Sequence, residues 1–211
     1  MNYKNFWKRV IEFFGSLTLL VLLLPLLLVT AILIKSKMGS PIFFKQDRLG
    51  LNGKIFKIWK FRSMTNCRDE NGEYKADEFR LTRFGKLLRD WSIDELPQLW
   101  NVLMGDMSLI GPRPFVAEYA SRYTSEQMRR HELRPGISGW AQITGRNSLS
   151  WNQKFTLDVW YVDHCSFMLD LKILFSTIPI VLNRAGVTAE DHASMPEWTG
   201  NETPEKSTPS E

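Results

Sequence analysis

Residues 13–34 read FFGSLTLLVLLLPLLLVTAILI, twenty-two positions without a charge, in which only Gly15, Ser16, Thr18, Pro25 and Thr30 interrupt the apolar run. About 20 apolar residues rising about 1.5 Å each cover a hydrocarbon layer of roughly 30 Å, so the run has membrane length. A cleaved signal peptide has a shorter apolar region, about 7 to 15 residues, and Lys35-Ser36-Lys37 is a poor cleavage context. Both flanks are basic: Lys4, Lys8 and Arg9 precede the run, and Lys35 and Lys37 follow it. Both ends therefore read as cytoplasmic. Pro25, preceded by Leu24, lies near the centre, where it deletes one backbone hydrogen bond and crowds the carbonyl four residues earlier. A break at Leu24-Pro25 lets a re-entrant helix enter and leave by one face. Composition alone accommodates a straight or kinked span equally, because proline is common in membrane helices.

Working outward, the 211 residues suit one domain with appendages. Hydrophobic content of 44% and charged content of 24% exclude wholesale disorder, collagen and a disulfide-rich miniprotein. Two cysteines, Cys67 and Cys165, are too few for a disulfide framework or a structural zinc site, so reduced thiols are expected. Of the 27 basic and 23 acidic residues, six acids and one base fall in Glu190–Glu211, which leaves 26 against 17 before it. That body attracts anions. The expected division is a membrane-inserted helix over 1–38, a cytoplasmic domain over 39–188 and a polar, acidic, disordered tail over 189–211.

Within 41–61, the Ile42-Phe43-Phe44 and Ile55–Trp59 runs flank Asn52-Gly53 and predict a β-hairpin. Residues 66–77 form a polar loop. From Phe79 to Trp91, apolar residues recur at helical spacing and Arg80, Arg83, Lys86 and Arg89 mark another face. Beside a membrane segment, such a basic amphipathic helix is expected to lie on anionic headgroups. Further helices are expected from Asp94 through Leu103, over 116–133, and over 150–164 and 166–182, the last two opened by capping serines.

Gly-x-Gly-x-x-Gly, Walker, Gly-x-Ser-x-Gly, His-Glu-x-x-His and Cys-x-x-Cys patterns are absent, and His131, His164 and His192 are scattered. Nicotinamide, ATPase, serine-hydrolase and zinc-protease readings lose their usual support. What remains is carboxylates and cations. Asp94-Glu95 opens a helix, where acids are stabilised by about 0.3–1 kcal/mol with no catalysis involved. The same pair could supply a nucleophile or an oxygen ligand for magnesium. Lys60, Arg62, Arg89, Arg113, Arg134 and Arg146 could hold phosphate, two of them in rigid Gly111-Pro112-Arg113-Pro114 and Arg134-Pro135-Gly136 settings whose amides could also approach it. Solvated surface arginines are the plainer reading. Nucleic acid is an unlikely partner for an apolar anchor with no RNA- or DNA-binding module.

The ordered series Lys60-Phe61-Arg62-Ser63-Met64, Ser92-Ile93-Asp94-Glu95-Leu96-Pro97-Gln98-Leu99, Gly105-Asp106-Met107-Ser108, Gly111-Pro112-Arg113-Pro114, Arg134-Pro135-Gly136-Ile137 and Gly145-Arg146-Asn147 resembles the bacterial sugar transferase family, the small monotopic phosphoglycosyl transferases. The likeness is greatest to members that initiate bacterial N-linked protein glycosylation. It implies a mostly α, α/β single domain at the cytoplasmic face of the inner membrane, with a re-entrant helix, a small hairpin and amphipathic interfacial helices. It implies transfer of a phospho-sugar, an N-acetylated amino sugar, from a UDP-sugar to undecaprenyl phosphate, releasing UMP and requiring magnesium. By resemblance Asp94 attacks the sugar-proximal phosphorus, and Glu95 supports the metal or activates the lipid phosphate. Lys60, Arg62, Arg89, Arg113 and Arg146 would hold phosphates, and Asp158 and Asp170 match later acids of the family. Leu24-Pro25 departs from the Ser-Pro that close relatives carry. Two other readings are a glycosyltransferase releasing UDP, although the chain lacks Asp-x-Asp, and a non-catalytic lipid-binding module. The oligomeric state is silent in the sequence.

Overall fold

The computed structural model describes residues 3–145, 148–183 and 198–200. After a π-helical turn at Tyr3–Trp7, helix α1 runs over Lys8–Met38. Only 11% of its most apolar eighteen-residue window is buried, unlike the core helix of a soluble protein. Its buried residues are Lys8, Glu12, Ser16, Thr30 and Ile34. Their spacing puts them on one stripe, so Lys8, Glu12, Ser16 and Thr30 face the protein while most leucines, valines and phenylalanines face outward. That inversion belongs to a helix in lipid.

Both ends of α1 are fastened to the same folded body. Near the start, Lys8 pairs with Asp170 at 2.5 Å, and Arg9 donates to the carbonyls of Val102 and Leu103 at 2.5 and 2.8 Å. Near the end, Ile34 is fully buried against Phe61 and Leu88. Arg62 closes the C-terminus by donating to the carbonyls of Met38, Gly39 and Ser40. Both ends of the apolar helix are thus tied to one polar domain. The helix is nevertheless continuous through Pro25. Loss of one amide donor at Pro25 leaves the flanking turns helical, so Leu24 and Pro25 stay within the helix.

Strands β1 (Phe43–Leu49) and β2 (Ile55–Phe61) pair antiparallel, Phe43 opposite Phe61 and Leu49 opposite Ile55. Asn52 and Gly53 turn the chain with φ of 54° and 72°, the positive values their side chains tolerate best. The single helix expected over 79–91 is instead α2 (Asp77–Arg80) and α3 (Arg83–Asp90). Leu81 bridges to Met64, and Thr82 restarts the helix by accepting from the Gly85 amide. Next come a 3₁₀ turn at Ile93–Glu95, α4 (Gln98–Met104) and β3 (Ser108–Ile110). The helix expected over 116–133 is likewise divided, into 3₁₀ turns at Ala117–Arg122 and Arg129–Glu132 around α5 (Ser125–Met128). There Thr124 and Gln127 form a capping box that starts a new turn.

Strand β4 (Gly136–Ser138) lies parallel to β3, followed by the short α6 (Trp140–Thr144). Helices α7 (Trp151–His164) and α8 (Phe167–Leu182) begin where Ser150 and Ser166 cap them. α8 buries Asp170 and Ile173 and exposes Met168, Phe175, Ile178 and Leu182, a second outward apolar surface. Trp198 is 3% exposed and packs with Phe115, Tyr119 and Phe155, so the expected structureless tail does not hold there. The remainder of that tail lies outside the described residues. The result is a mostly helical α/β domain with a two-stranded hairpin and one long apolar N-terminal helix.

Candidate active site

Asp94 and Glu95 sit in the 3₁₀ turn between α3 and α4, and Pro97 rather than Asp94 precedes α4. The capping role is therefore excluded, for Asp94 makes no cap bond. The turn follows Ser92, a non-glycine residue in the left-handed region at φ 54°, ψ 22°. Strain of this kind persists where the surroundings over-determine it, here delivering a carboxylate to a set position. Asp94 is 7% exposed, and its Oδ1 is buried with no hydrogen-bond partner.

Cations surround the pair. Lys60, near the end of β2, donates to Glu95 Oε1 at 2.7 Å, and Arg113 Nη2 reaches the same oxygen at 2.8 Å. Arg89 on α3 donates from Nε to Ser63 Oγ at 2.9 Å and lies close enough to favour ionised Asp94. Burial disfavours the Glu95 charge, yet Arg113 and Lys60 outweigh it and hold this carboxyl well below the usual range. Asp94 moves the other way. Burial, then the charge of Glu95, push it up to about 6 against the pull of Lys60, Arg89 and Arg113.

The two glycine–proline motifs serve this site indirectly. Gly111 N donates to Ser138 O at 2.8 Å and Gly136 N to Pro112 O at 2.9 Å. A Cβ on Gly111 would stand 2.4 Å from Arg134 O, and one on Gly136 2.1 Å from Gly111 N. The motifs interlock backbone to backbone, so these amides are spent on each other and not on phosphate. The crossing aims Arg113 at Glu95 with 43% of its side chain exposed, open to a substrate. Behind it Arg130, buried over the Phe115 ring at 4.3 Å, donates to Asp158 Oδ2 at 3.1 and 2.6 Å and to the Arg113 carbonyl at 2.6 Å.

Several expected site residues therefore have other positions. Asp158 neutralises Arg130 and fixes Arg113 from behind. Asp170 binds Tyr3, Lys8 and Tyr161, anchoring α1 to α8. Arg62 is consumed by the end of α1, and Arg134 donates to Gly105 O at 2.8 Å. Arg146 lies outside the described residues. His131 is buried and kept neutral, pushed down to about 3 by burial and by Arg130.

Two cations escaped the sequence reading. Arg48 on β1 donates to Gln46 Oε1 and Pro114 O, and burial with the Arg113 charge pushes it down to about 10. Lys154 on α7 is buried over the Trp151 ring, its pKa lowered by burial and by Arg113. Its spacing of four from Asp158 placed both on one helix face, the available signal. Lys60, Arg89 and Arg113 act on Asp94, Arg48 lies near Glu95 and Lys154 stands beside Arg113, an excess of positive charge suited to a diphosphate. Among the described residues no group of three or more His, Cys, Asp or Glu could hold a metal. The pair still fits magnesium, which commonly uses one or two carboxylates and completes its shell with substrate phosphate, since Asp94 Oδ1 is an uncommitted acceptor.

Fold and site together define a membrane-associated protein that sets a buried carboxylate among cations. The chain belongs to the bacterial sugar transferase family, whose pattern residues 3–184 match. It is 52% identical over 194 residues to an uncharacterised sugar transferase, EpsL, of Bacillus subtilis, covering 92% of this chain and 96% of that protein. It is 40% identical over 189 residues to the UDP-N-acetylgalactosamine-undecaprenyl-phosphate N-acetylgalactosaminephosphotransferase of Aeromonas hydrophila, and 40% over 182 residues to the UDP-glucose:undecaprenyl-phosphate glucose-1-phosphate transferase of Klebsiella pneumoniae. These matches cover 86% and 82% of this chain but only 45% and 39% of those longer proteins. None of the three names specifies N-linked glycosylation.

Proposed function

We propose that this protein moves a phospho-sugar from a UDP-sugar to undecaprenyl phosphate, releasing UMP, as the first membrane step in making a glycoprotein, O-antigen or capsule. The observation that carries this reading is the buried Asp94 carboxylate, its Oδ1 without a hydrogen-bond partner, beside Lys60, Arg89 and Arg113. An Asp94 oxygen attacks the sugar-proximal phosphorus, and the bond to the bridging oxygen breaks. UMP leaves with that oxygen, and an aspartyl phospho-sugar remains. An oxygen of the lipid phosphate then attacks the same phosphorus, which frees Asp94 and yields a polyprenyl diphosphate-linked sugar. Phosphoryl transfer of this kind needs positioning and neutralisation more than covalent help. Arg113, Arg48 and Lys154 supply the charge for the diphosphate. Glu95 holds Lys60 and Arg113 in register. A bound magnesium would be held by Asp94 and Glu95, neutralising phosphate charge.

The relatives' names share a lipid phosphate acceptor and differ in the sugar, which supports the lipid half of the reaction more than any one donor. The donor proposed is a UDP-linked N-acetylated amino sugar. The site is proposed to face the cytoplasm at the inner membrane, where the apolar faces of α1 and α8 set its depth. The test is nucleotide release by detergent-solubilised protein given undecaprenyl phosphate, magnesium and a panel of UDP-sugars, with Asp94→Asn alongside. Sustained UMP release that requires lipid, metal and Asp94, with at most one equivalent per enzyme when lipid is omitted, is the expected result. UDP release would indicate an ordinary glycosyltransferase, and unchanged UMP from Asp94→Asn would remove the covalent step.

A further inference from the structure

A second basic cluster lies at the opposite end of α4 from Asp94, at the foot of α1. A cavity of about 330 Å³ opens there, bounded by Lys4, Lys8, Arg9, Glu12, Glu132 and Arg134. Lys8 is neutralised by Glu12 at 3.0 Å and Asp170 at 2.5 Å, and Glu132 is engaged by Arg129. The other three cations bond only to neutral oxygens. Lys4 Nζ donates to the carbonyls of Val162 and Asp163 at 2.6 and 3.3 Å, at the C-terminal end of α7. Arg9 takes Val102 O and Leu103 O, and Arg134 Nε takes Gly105 O, at the C-terminal end of α4.

A helix C-terminus offsets roughly half an elementary charge, so three full cations exceed what two such ends supply. Glu12 and then Asp106 are the carboxylates acting on Arg9; Glu12 is shared with Lys8, and Asp106 lies within 3.4 Å of Asn101 Nδ2. The two guanidinium groups meet at Gly105, where Arg9 Nη2 stands 3.2 Å from the position a Cβ would take. Arg134 is held through Nε alone, and its two terminal nitrogens have no partner among the described residues. Phe6, Trp7, Ile11 and Met104, neighbours in sequence of these cations and of the carbonyls they bind, are exposed. Aromatic residues beside lysine and arginine mark the headgroup level of a bilayer.

We propose that this cavity binds the phosphodiester headgroup of an anionic phospholipid, with Arg134 presenting its free fork and Arg9 and Lys4 adding charge. The bound lipid would fix the foot of α1 against α4 from the end remote from Asp94. The site is independent of the transfer reaction and of its nucleotide.

The test uses the full chain in a neutral detergent, with thermal unfolding followed during titration with short-chain phosphatidylglycerol, phosphatidylcholine of equal chain length, or inorganic phosphate. Phosphatidylglycerol is expected to raise the wild-type midpoint saturably, and the other two are not. Arg134→Gln should weaken the phosphatidylglycerol response about tenfold or more, the size of one charge-assisted bidentate contact. Arg68→Gln, which removes the same charge from an exposed loop remote from the cavity, should leave it unchanged. Lys4→Gln provides a milder second variant, expected to weaken the response severalfold, should Arg134→Gln fail to fold. An equal response to phosphatidylcholine or to inorganic phosphate would overturn the proposal. So would an Arg68→Gln loss matching that of Arg134→Gln, or wild-type response in both Arg134→Gln and Lys4→Gln.

Discussion

Asp94→Asn is expected to abolish UMP release and, at the same time, to make the protein more stable. Burial and then the charge of Glu95 push Asp94 from an ordinary 3.8 up to about 6. A carboxyl whose folded pKa is raised opposes folding when ionised. The penalty is absent well below pH 3.8, grows as pH rises and is complete above 6. At about 1.4 kcal/mol per pK unit it amounts to about 3 kcal/mol at pH 7.5, roughly half of that at pH 5 and less than about 1 kcal/mol at pH 4. Asparagine keeps the shape and removes the charge. For a chain of this length about 2–4 °C accompany each kcal/mol, so the ceiling is roughly 6–12 °C at pH 7.5. The amide nitrogen set among Lys60, Arg89 and Arg113 returns part of that, and a rise of roughly 3–8 °C is expected. Thermal unfolding read on the eight tryptophans, at pH 7.5 and pH 5 in one detergent, measures the gap between variant and wild type. The gap should shrink toward acid. A variant no more stable than wild type at pH 7.5, or a gap independent of pH, would show that Asp94 is held by favourable pairing, and the reasoning from burial would fail.

Other outcomes follow from the same contacts. UMP release should fall on the acid side with an apparent pKa near 6, and Glu95→Gln, which removes the like charge, should move that limb down by about one unit as well as slow turnover. Asp158→Asn leaves the buried Arg130 charge without its partner, a loss of about 3–5 kcal/mol, so a midpoint lower by roughly 10 °C is expected in a thermal melt. Gly111→Ala puts a Cβ 2.4 Å from Arg134 O, and transfer should fall much further than donor binding, in a KM against kcat comparison, because the Arg113 loop is displaced. With Cys67 replaced by serine, single cysteines placed near residues 5 and 40 should both react from the cytoplasmic side alone; labelling of either from outside would show a span.

By itself the sequence determined the long-range and chemical outline: a membrane-length apolar run, a hairpin around Asn52-Gly53, two serine-capped helices, and an acidic pair with candidate cations. These are legible because they rest on local periodicity, caps and charge, which neighbours in sequence decide. Tertiary structure alone decided how the parts are used. Leu81-Thr82 breaks a helix that periodicity favoured, since a bridge to Met64 and a cap on Gly85 outweigh a weak propensity. Gly111 and Gly136 consume each other's backbone, which no spacing of their motifs reveals. Arg62, Asp158 and Asp170 are charged like site residues but are spent on a helix end, a buried guanidinium and the foot of α1. Arg48 and Lys154 join the site from a strand and a helix distant in sequence from Asp94. Which ions meet is a property of three-dimensional burial, where an unpaired charge is costly, and a linear sequence shows only which ions exist.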